Sequence, residues 1–534
     1  MTGRRARLAD TGRFGRPRRL VIENALVIPG AGRRVRPGTD IVIEHGRIAA
    51  VGRGAGAAGG DVVIDGRHRI AVPGLVNAHS HTYETLNRGA IPGRPMEIWA
   101  LYGHPVLGVG RRTPEEVYWR TLVPCLEMLR NGVTSVVDDI SMSFDFRDEL
   151  VEAIMQAYRD SGIRAWVSAK VMDRPLPETL PVDAARIPRD LRRAFRGIRI
   201  PEAAELIEWS RRNMRREERL GGLARFIPNP SAPQRCTDQL LRATHRLATE
   251  WGFPWLVHVQ ETRLQAVQGP RRYGRSMVGH LARLGVLTRV TAILHGIWVD
   301  PEDIRRIADA GATVVHNPAS NLRLGSGLAP LRQFRDAGIQ VGLGCDGTSS
   351  NDGQSLFEAM KLAAIVHSLT DPDYRRWITA AEVFQMATEG GAWSALWERE
   401  VGALEPGKRA DVVLLDRLAP AFAPLRDPVA QLVYAEGGHA VRTVVVDGRV
   451  VVDDGRVLTA DLPGAVGRLA QIGERLKAEH RRTNAIARRL EPIWRAMLEE
   501  HHRVPLPIER LAWPRSARAE AGGGPAASAR RQRW

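Results

Sequence analysis

VPGLVNAHSH, residues 72–81, is an apolar run that ends in two histidines spaced two apart. It is short, with Pro73 and Gly74 near its start, and reads as a buried strand. Side chains two apart on a strand point to the same side, so His79 and His81 leave its end together. Two imidazoles so placed can bind one metal ion at about 2.0–2.1 Å. Alone, the pair is equally the polar end of an ordinary strand. Its weight depends on what the rest of the chain supplies.

Seven further segments of this kind follow: VTSVVDD (133–139), RAWVSAKVM (164–172), ARFIPNP (224–230), PWLVHVQE (254–261), TAILHGI (291–297), ATVVHNP (312–318) and QVGLGCDG (340–347). Helical patterns separate them. PEEVYWRTLVPCLEMLRNG (114–132) and RDELVEAIMQAYRDSG (147–162) each close on the glycine that a helix C-terminus favours. Eight strand-then-helix units predict an α/β fold of the (β/α)8 TIM-barrel type rather than an open doubly wound sheet. Such barrels build their sites at the C-terminal ends of the strands. His258 ends PWLVH, His295 ends TAILH and Asp346 ends VGLGCD. Glu261 follows His258 by three residues, close enough to trade protons with a bound water and a substrate. A single His or Asp is usually structural. Here metal-type side chains recur at the ends of strands one, five, six and eight.

The two chain ends read differently. RLVIENALVIPG (19–30) and DIVIEHGRIAAVG (40–52) alternate apolar and polar residues, and so do ADVVLLD (410–416) and VRTVVVDGRVVVDDGRV (441–457). His45-Gly46, Gly52, Asp447-Gly448 and Asp454-Gly455 mark turns between strands. The pattern predicts one small β-sandwich built from both ends. The expected division is a basic tail over 1–18, sandwich over 19–72, barrel over 73–398, sandwich again over 399–460, a helical extension over 461–513 and a disordered basic tail over 514–534.

Composition narrows the function classes. The 534 residues carry a formal net charge of +17, but residues 1–19 supply +6 and residues 514–534 supply +4. Arginine-rich ends on an otherwise mildly basic chain read as solvated tails, and no nucleic-acid motif is present. No apolar run is long enough to span a bilayer, so no membrane partner is expected. Cys125, Cys236 and Cys345 lie far apart and form neither a disulfide framework nor a C-x-x-C pair. They read as reduced thiols of a cytoplasmic protein. A zinc deaminase of the cytidine type wants H-x-E with P-C-x-x-C, and Pro124-Cys125 has no second cysteine after it.

In this order, VPGLVNAHSH, HVQET, ILHG, VVHNPASNLRLGSGLAPL, GLGCDGTSSND and GALEPGKRADVVLLD resemble the aminohydrolase and chlorohydrolase branch of the amidohydrolase superfamily. That branch includes adenosine-type and guanine deaminases and triazine hydrolases. The resemblance spans about residues 20–460. It implies that His79, His81, His258 and Asp346 hold one divalent ion, Zn2+ first and Fe2+ second. It also implies that Glu261 moves a proton from the nucleophilic water to a ring nitrogen or leaving group. His295 would steady the developing charge, and Asp346 would accept a proton from the water. Binuclear relatives carry a lysine on the fourth strand. ARFIPNP has none, and Lys170, on the third strand, reads as an ordinary charged residue, which favours a mononuclear site.

The expected substrate is a small heterocycle. Adenosine-like deaminases carry PHAPY after the fourth strand, whereas this chain has NPSAPQRC, with Ser231 and Gln234 in place of the His and Tyr. That departure moves it towards the triazine hydrolases. In the loop after the histidine pair, Trp99 and Tyr102 are candidates to stack on a flat ring and Glu84 to bond an amino group, although Trp99 alone could equally pack the loop onto the barrel. Asn321 is a candidate lining residue, or else a loop-holding one. The resemblance implies a homo-oligomer. Three functions compete: a deaminase of an amino-substituted N-heterocycle, a hydrolase that releases chloride or an alkylamine or opens a cyclic amide, and an inactive binding or scaffold protein. The last predicts a broken metal set, whereas all six positions are filled by competent residues.

Overall fold

The computed structural model describes residues 16–104, 107, 111–142 and 145–511. Five strands come first: β1 (Arg19–Val27), β2 (Arg36–Glu44), β3 (Arg47–Gly52), β4 (Val62–Asp65) and β5 (Arg69–Pro73). Seven barrel strands follow: β6 (Leu75–His81), β7 (Val133–Ile140), β8 (Arg164–Val171), β9 (Ala224–Pro230), β10 (Trp255–Val259), β11 (Thr291–His295) and β12 (Thr313–His316). The eighth comes in two pieces, β13 (Val341–Leu343) and β14 (Asp346–Gly347). Then come β15 (Val412–Asp416), β16 (Val441–Val446), β17 (Arg449–Asp453), β18 (Arg456–Val457) and a 41-residue helix, Leu462–His502.

The eight predicted barrel segments all appear as strands. Parallel pairing runs β6-β7-β8-β9 and β10-β11-β12-β13, and β14 returns to pair with β6. Asparagine side chains, with one backbone bond, make the two joins that the ladder omits. β9 carries Pro228 and Pro230, which have no N–H. Across that seam the Leu256 N–H donates to Asn229 Oδ1 at 3.1 Å, and the His258 N–H to the Ser231 carbonyl at 3.3 Å. Between β13 and β14 the Cys345 N–H donates to Asn77 Oδ1 at 2.9 Å. The strands are buried along almost their whole length, as parallel strands covered on both faces must be. Val137, Leu256, Leu294 and Val315 meet in a small core of their own inside the barrel.

Local chemistry sets the helix ends. Thr113 Oγ1 accepts the Glu116 N–H at 3.1 Å, Pro114 opens the helix, and Gly132 follows its end at φ +77°. Helix Asp148–Ser161 stops on Gly162, also at φ +77°.

The strands from the two chain ends form one continuous sheet, in the order β18-β17-β16-β15-β5-β1-β2-β3, with β4 on β1. The sandwich expected from the sequence is this sheet gathered around a shared core that includes Ile22, Ile41, Val62, Val412 and Val445. Its hairpins turn on His45-Gly46, Asp447-Gly448 and Asp454-Gly455, with both residues of each pair at positive φ. That is the backbone a two-residue hairpin of matching twist requires. Among the described residues no helix is long and apolar enough to cross a membrane. Most of the two expected basic tails, residues 1–15 and 514–534, lies outside the described residues.

Candidate metal centre

β6 places His79 and His81, and the pairing of β14 with β6 sets Asp346 beside Ser80 and Gly347 beside His81. β10 and β11 are in register with Val259 against His295, which brings His258 and His295 to the same rim. The five side chains converge. His81 Nε2 lies 3.4 Å and His79 Nε2 3.6 Å from Asp346 Oδ1, and His295 Nε2 lies 3.8 Å from Asp346 Oδ2. The ring centroids of His79 and His258 are 5.1 Å apart. His79, His81 and Asp346 offer ligand atoms that all lie within 4.8 Å of one another, as do His79, His258 and His295.

The second imidazole nitrogens are held from outside the cluster. His81 Nδ1 donates to the Asp139 carbonyl at 2.6 Å, His258 Nδ1 to the Ser231 carbonyl at 2.9 Å, and His295 Nδ1 to Asn321 Oδ1 at 2.8 Å. Each such bond fixes the tautomer and turns Nε2 inward. His79 is fully buried with neither ring nitrogen hydrogen-bonded. Burial lowers its pKa to about 3, so it is a neutral donor without a partner. A tetrahedral ion about 2.1 Å from each donor has donors about 3.4 Å apart. The spacing and the orphaned imidazole both fit a divalent ion.

The backbone is strained where these residues sit. Gln260, His295 and Asp346 have φ of +48°, +67° and +61°. Such conformations cost on the order of 1–3 kcal/mol each and persist where surrounding contacts fix them.

The cavity above the cluster holds the remaining groups. Glu261 is buried there, and burial raises its pKa. Burial also acts to raise Asp346, but the His295 and His79 imidazoles outweigh it and hold its carboxyl low. Glu84 lines the cavity and accepts from Ser349 Oγ at 2.8 Å. Burial, and next Asp346, push its pKa up to about 8. A Cβ at Gly347 would fall 1.9 Å from Glu84 Oε2, so only glycine leaves room there.

The structure separates the other candidates. Trp99 presents its ring to the cavity while its indole N–H donates to the Ser349 carbonyl at 3.0 Å. The indole bond ties the loop to the barrel, and the ring faces the space where a flat substrate would lie. Tyr102 does not reach the cavity. Its hydroxyl donates to Glu491 of the C-terminal helix, and the Arg94 guanidinium lies over its ring at 4.7 Å. Helix Met96–Gly103 turns Trp99 inward and leaves Tyr102 outward. Asn321 holds His295 and does not line the cavity.

Sequence reasoning missed several lining residues. Lys170 is buried at the cavity wall, with Nζ 3.3 Å from Tyr83 Oη. Its signal was a charge within a strand otherwise buried. His104 and Arg235 also line the cavity. Asp139 supplies the carbonyl that holds His81, and its place at the end of the second strand was the available signal.

A (β/α)8 barrel with this constellation at its strand ends defines a hydrolase that works with a divalent metal ion. The profile described as Amidohydrolase family matches residues 70–451. The chain is 34% identical over 434 residues to the 5-methylthioadenosine/S-adenosylhomocysteine deaminase of Thermococcus kodakarensis, covering 81% of this chain and 93% of that one. Its fold is similar to the zinc-complexed atrazine chlorohydrolase of Arthrobacter aurescens, with a TM-score of 0.77 and 28% identity, covering 85% of this chain and all of that one. It is also similar to a zinc-bound adenosine deaminase of Xanthomonas campestris, with a TM-score of 0.73 and 28% identity, covering 86% and 98%. The chain belongs to the amidohydrolase family and is a hydrolase of C–N bonds.

Proposed function

We propose that the chain deaminates an amino-substituted N-heterocycle, using one zinc ion held by His79, His81, His258 and Asp346. The observation that carries this reading is the convergence of four donors, three turned or left free to point inward, beneath a cavity that Glu261 also lines. The deaminase relative at 34% identity supports the choice of leaving group. A bound divalent ion supplies a nucleophile at neutral pH by lowering the pKa of water towards about 7.

The chain's own residues do the rest. Glu261, its carboxyl raised by burial, takes a proton from the attacking water and passes it to a ring nitrogen or the departing amine. Asp346, held low by the imidazoles, accepts the second proton. His295, fixed by Asn321, steadies the charge that develops on the ring carbon's substituents. Glu84 and Trp99, which line the cavity, hold the ring. A second leaving group, chloride, is favoured by one observation: the fold of the atrazine chlorohydrolase matches 85% of this chain.

The test is ammonia release by the zinc-loaded protein from aminopurines, aminopyrimidines, pterins and aminotriazines. Release from one ring class is expected. Silence from all of them, with one zinc still bound per chain, would overturn the deaminase reading in favour of another leaving group. His79→Ala and His258→Ala should each lose the metal in elemental analysis. Glu261→Gln should keep it and lose turnover by about 10²-fold or more. Full activity in that variant would remove Glu261 from the proton path.

A further inference from the structure

NPSAPQRC carries, one residue before its end, a side chain that the reading above leaves unused. Arg235 closes the short 3-10 turn Pro233–Arg235 after β9. Its side chain lines the cavity over the metal set and also an outer chamber that opens from it. Among the described residues the guanidinium makes no hydrogen bond. Lys170, on the neighbouring strand β8, lines the same two spaces, and among the described residues its ammonium hydrogen-bonds only the Tyr83 hydroxyl, at 3.3 Å. Among the described residues no carboxylate oxygen lies within 4.0 Å of either cation.

Glu261 is the carboxylate whose charge acts most strongly on Arg235, but it makes no ion pair with it within 4.0 Å, and the other carboxylates nearby are engaged elsewhere. Glu84 accepts from Ser349, Glu97 from Thr262 and Asp139 from Ser168. Asp346 faces the imidazoles. Lys170 is buried and Arg235 half-buried; drawing a cation even partly from bulk water without a partner is costly, and a guanidinium presents five donors to satisfy. A neutral carbonyl would satisfy one or two donors and leave the charge. A carboxylate matches the planar fork with two bonds and cancels the charge.

The geometry points to Arg235 as a specificity-determining residue that selects a substrate whose ring carries an oxyanionic, carboxylate-type substituent, with Lys170 as the second positive wall. The assignment rests on the heterocycle reading above and names the substrate class within it. The outer chamber, with Leu101, Leu180, Leu264 and Trp494 on its walls, is where the stem of such a substituent runs.

Two matched probes test it: adenine with a carboxyethyl group on an imidazole nitrogen, and adenine with a propyl group there. Calorimetry on the full-length zinc-loaded protein reads both. The carboxylate member should bind roughly 10- to 100-fold tighter. Arg235→Met should abolish that preference, and Arg235→Lys should keep part of it. Ligand-free Arg235→Met should melt no lower than the parent, because it loses an uncompensated charge and not a structural bond. Equal binding of the two probes, binding of neither, a preference unchanged in Arg235→Met, or a lowered melting point in ligand-free Arg235→Met would overturn the assignment. Ammonia release separates the two claims. Release from the propyl probe without a carboxylate preference leaves the deaminase standing and removes the oxyanion site. A carboxylate preference without ammonia does the reverse.

Discussion

An imidazole ligand is only as good as the bond on its far nitrogen. His295 depends on one side chain, since its Nδ1 donates to Asn321 Oδ1 at 2.8 Å. Asn321→Leu should keep the metal, which His79, His81, His258 and Asp346 hold, and lower turnover roughly 10- to 100-fold. Metal content beside steady-state rates checks this, and loss of the metal instead would make His295 or its support part of the ligand set. Glu97 gives a pH signature. It is buried in the helix over the cavity and burial raises its carboxyl from about 4.5 to about 7. A carboxyl raised by folding contributes stability that is fully present below its unfolded pKa and lost as pH rises through its folded one. The parent should therefore lose stability relative to Glu97→Gln between about pH 4.5 and 7, and no further above 7. The ceiling is about 3 kcal/mol. Parallel denaturant titrations at several pH values measure it. That His79, His81, His258, Glu261, His295 and Asp346 meet in one place was legible in the sequence, because each ends or follows a recognisable strand and barrels collect strand ends. Lys170, Arg235 and the outward turn of Tyr102 were not. They depend on side-chain direction and on a partner, Glu491, 389 residues away from Tyr102.

The helix Met96–Gly103 shows the same dependence one level up. Its inner face carries Met96, Trp99 and Ala100 to the cavity. Ile98 and Leu101 on its outer face pack with Ala487, Leu490, Trp494 and Met497 of the C-terminal helix. Arg263 adds bonds to the carbonyls of His501 and Val504 beyond. The cavity roof is thus held down by the last described element of the chain. Leu490 is fully buried, and Leu490→Ala should cost roughly 2–5 kcal/mol. Turnover should fall while the metal stays, because the roof loosens and the ligand set does not. Unchanged kinetics at lowered stability would show that the roof holds without the helix. The sequence marked residues 461–513 as a helical extension, and the turns of the terminal sheet were legible from Asp-Gly and His-Gly pairs. A helical pattern says that an element forms but not what it covers, so the roof contact was out of reach.

At the scale of the whole molecule, the barrel and the sheet are joined by charge as well as by apolar packing. Arg164, at the start of β8, lies 3.1 Å from Asp411 and 3.7 Å from Asp447, and all three are buried. Asp411 also accepts the Asp447 N–H at 2.9 Å. Asp447 keeps Arg16 and Arg409, but among the described residues Asp411 has no other cation, so Arg164→Met should destabilise the protein by roughly 3–5 kcal/mol. Chemical denaturation followed by tryptophan fluorescence reads the loss, and a stability within 1 kcal/mol of the parent would show the pair to be replaceable by packing. Eight repeating units made the barrel legible. The continuity of the terminal sheet was not, because hydrogen bonding between distant strands leaves no mark on either strand's own pattern. That continuity has a consequence for how the protein is made. β5 takes β15 as its antiparallel neighbour, and about 340 residues separate the two strands. A ribosome adding ~5–20 residues per second needs roughly 20–70 s to cross that interval. Throughout it, β5 offers an open edge to any passing strand, its own barrel's included. The nascent chain must therefore be shielded, by a chaperone or by the growing barrel itself, until its final quarter emerges.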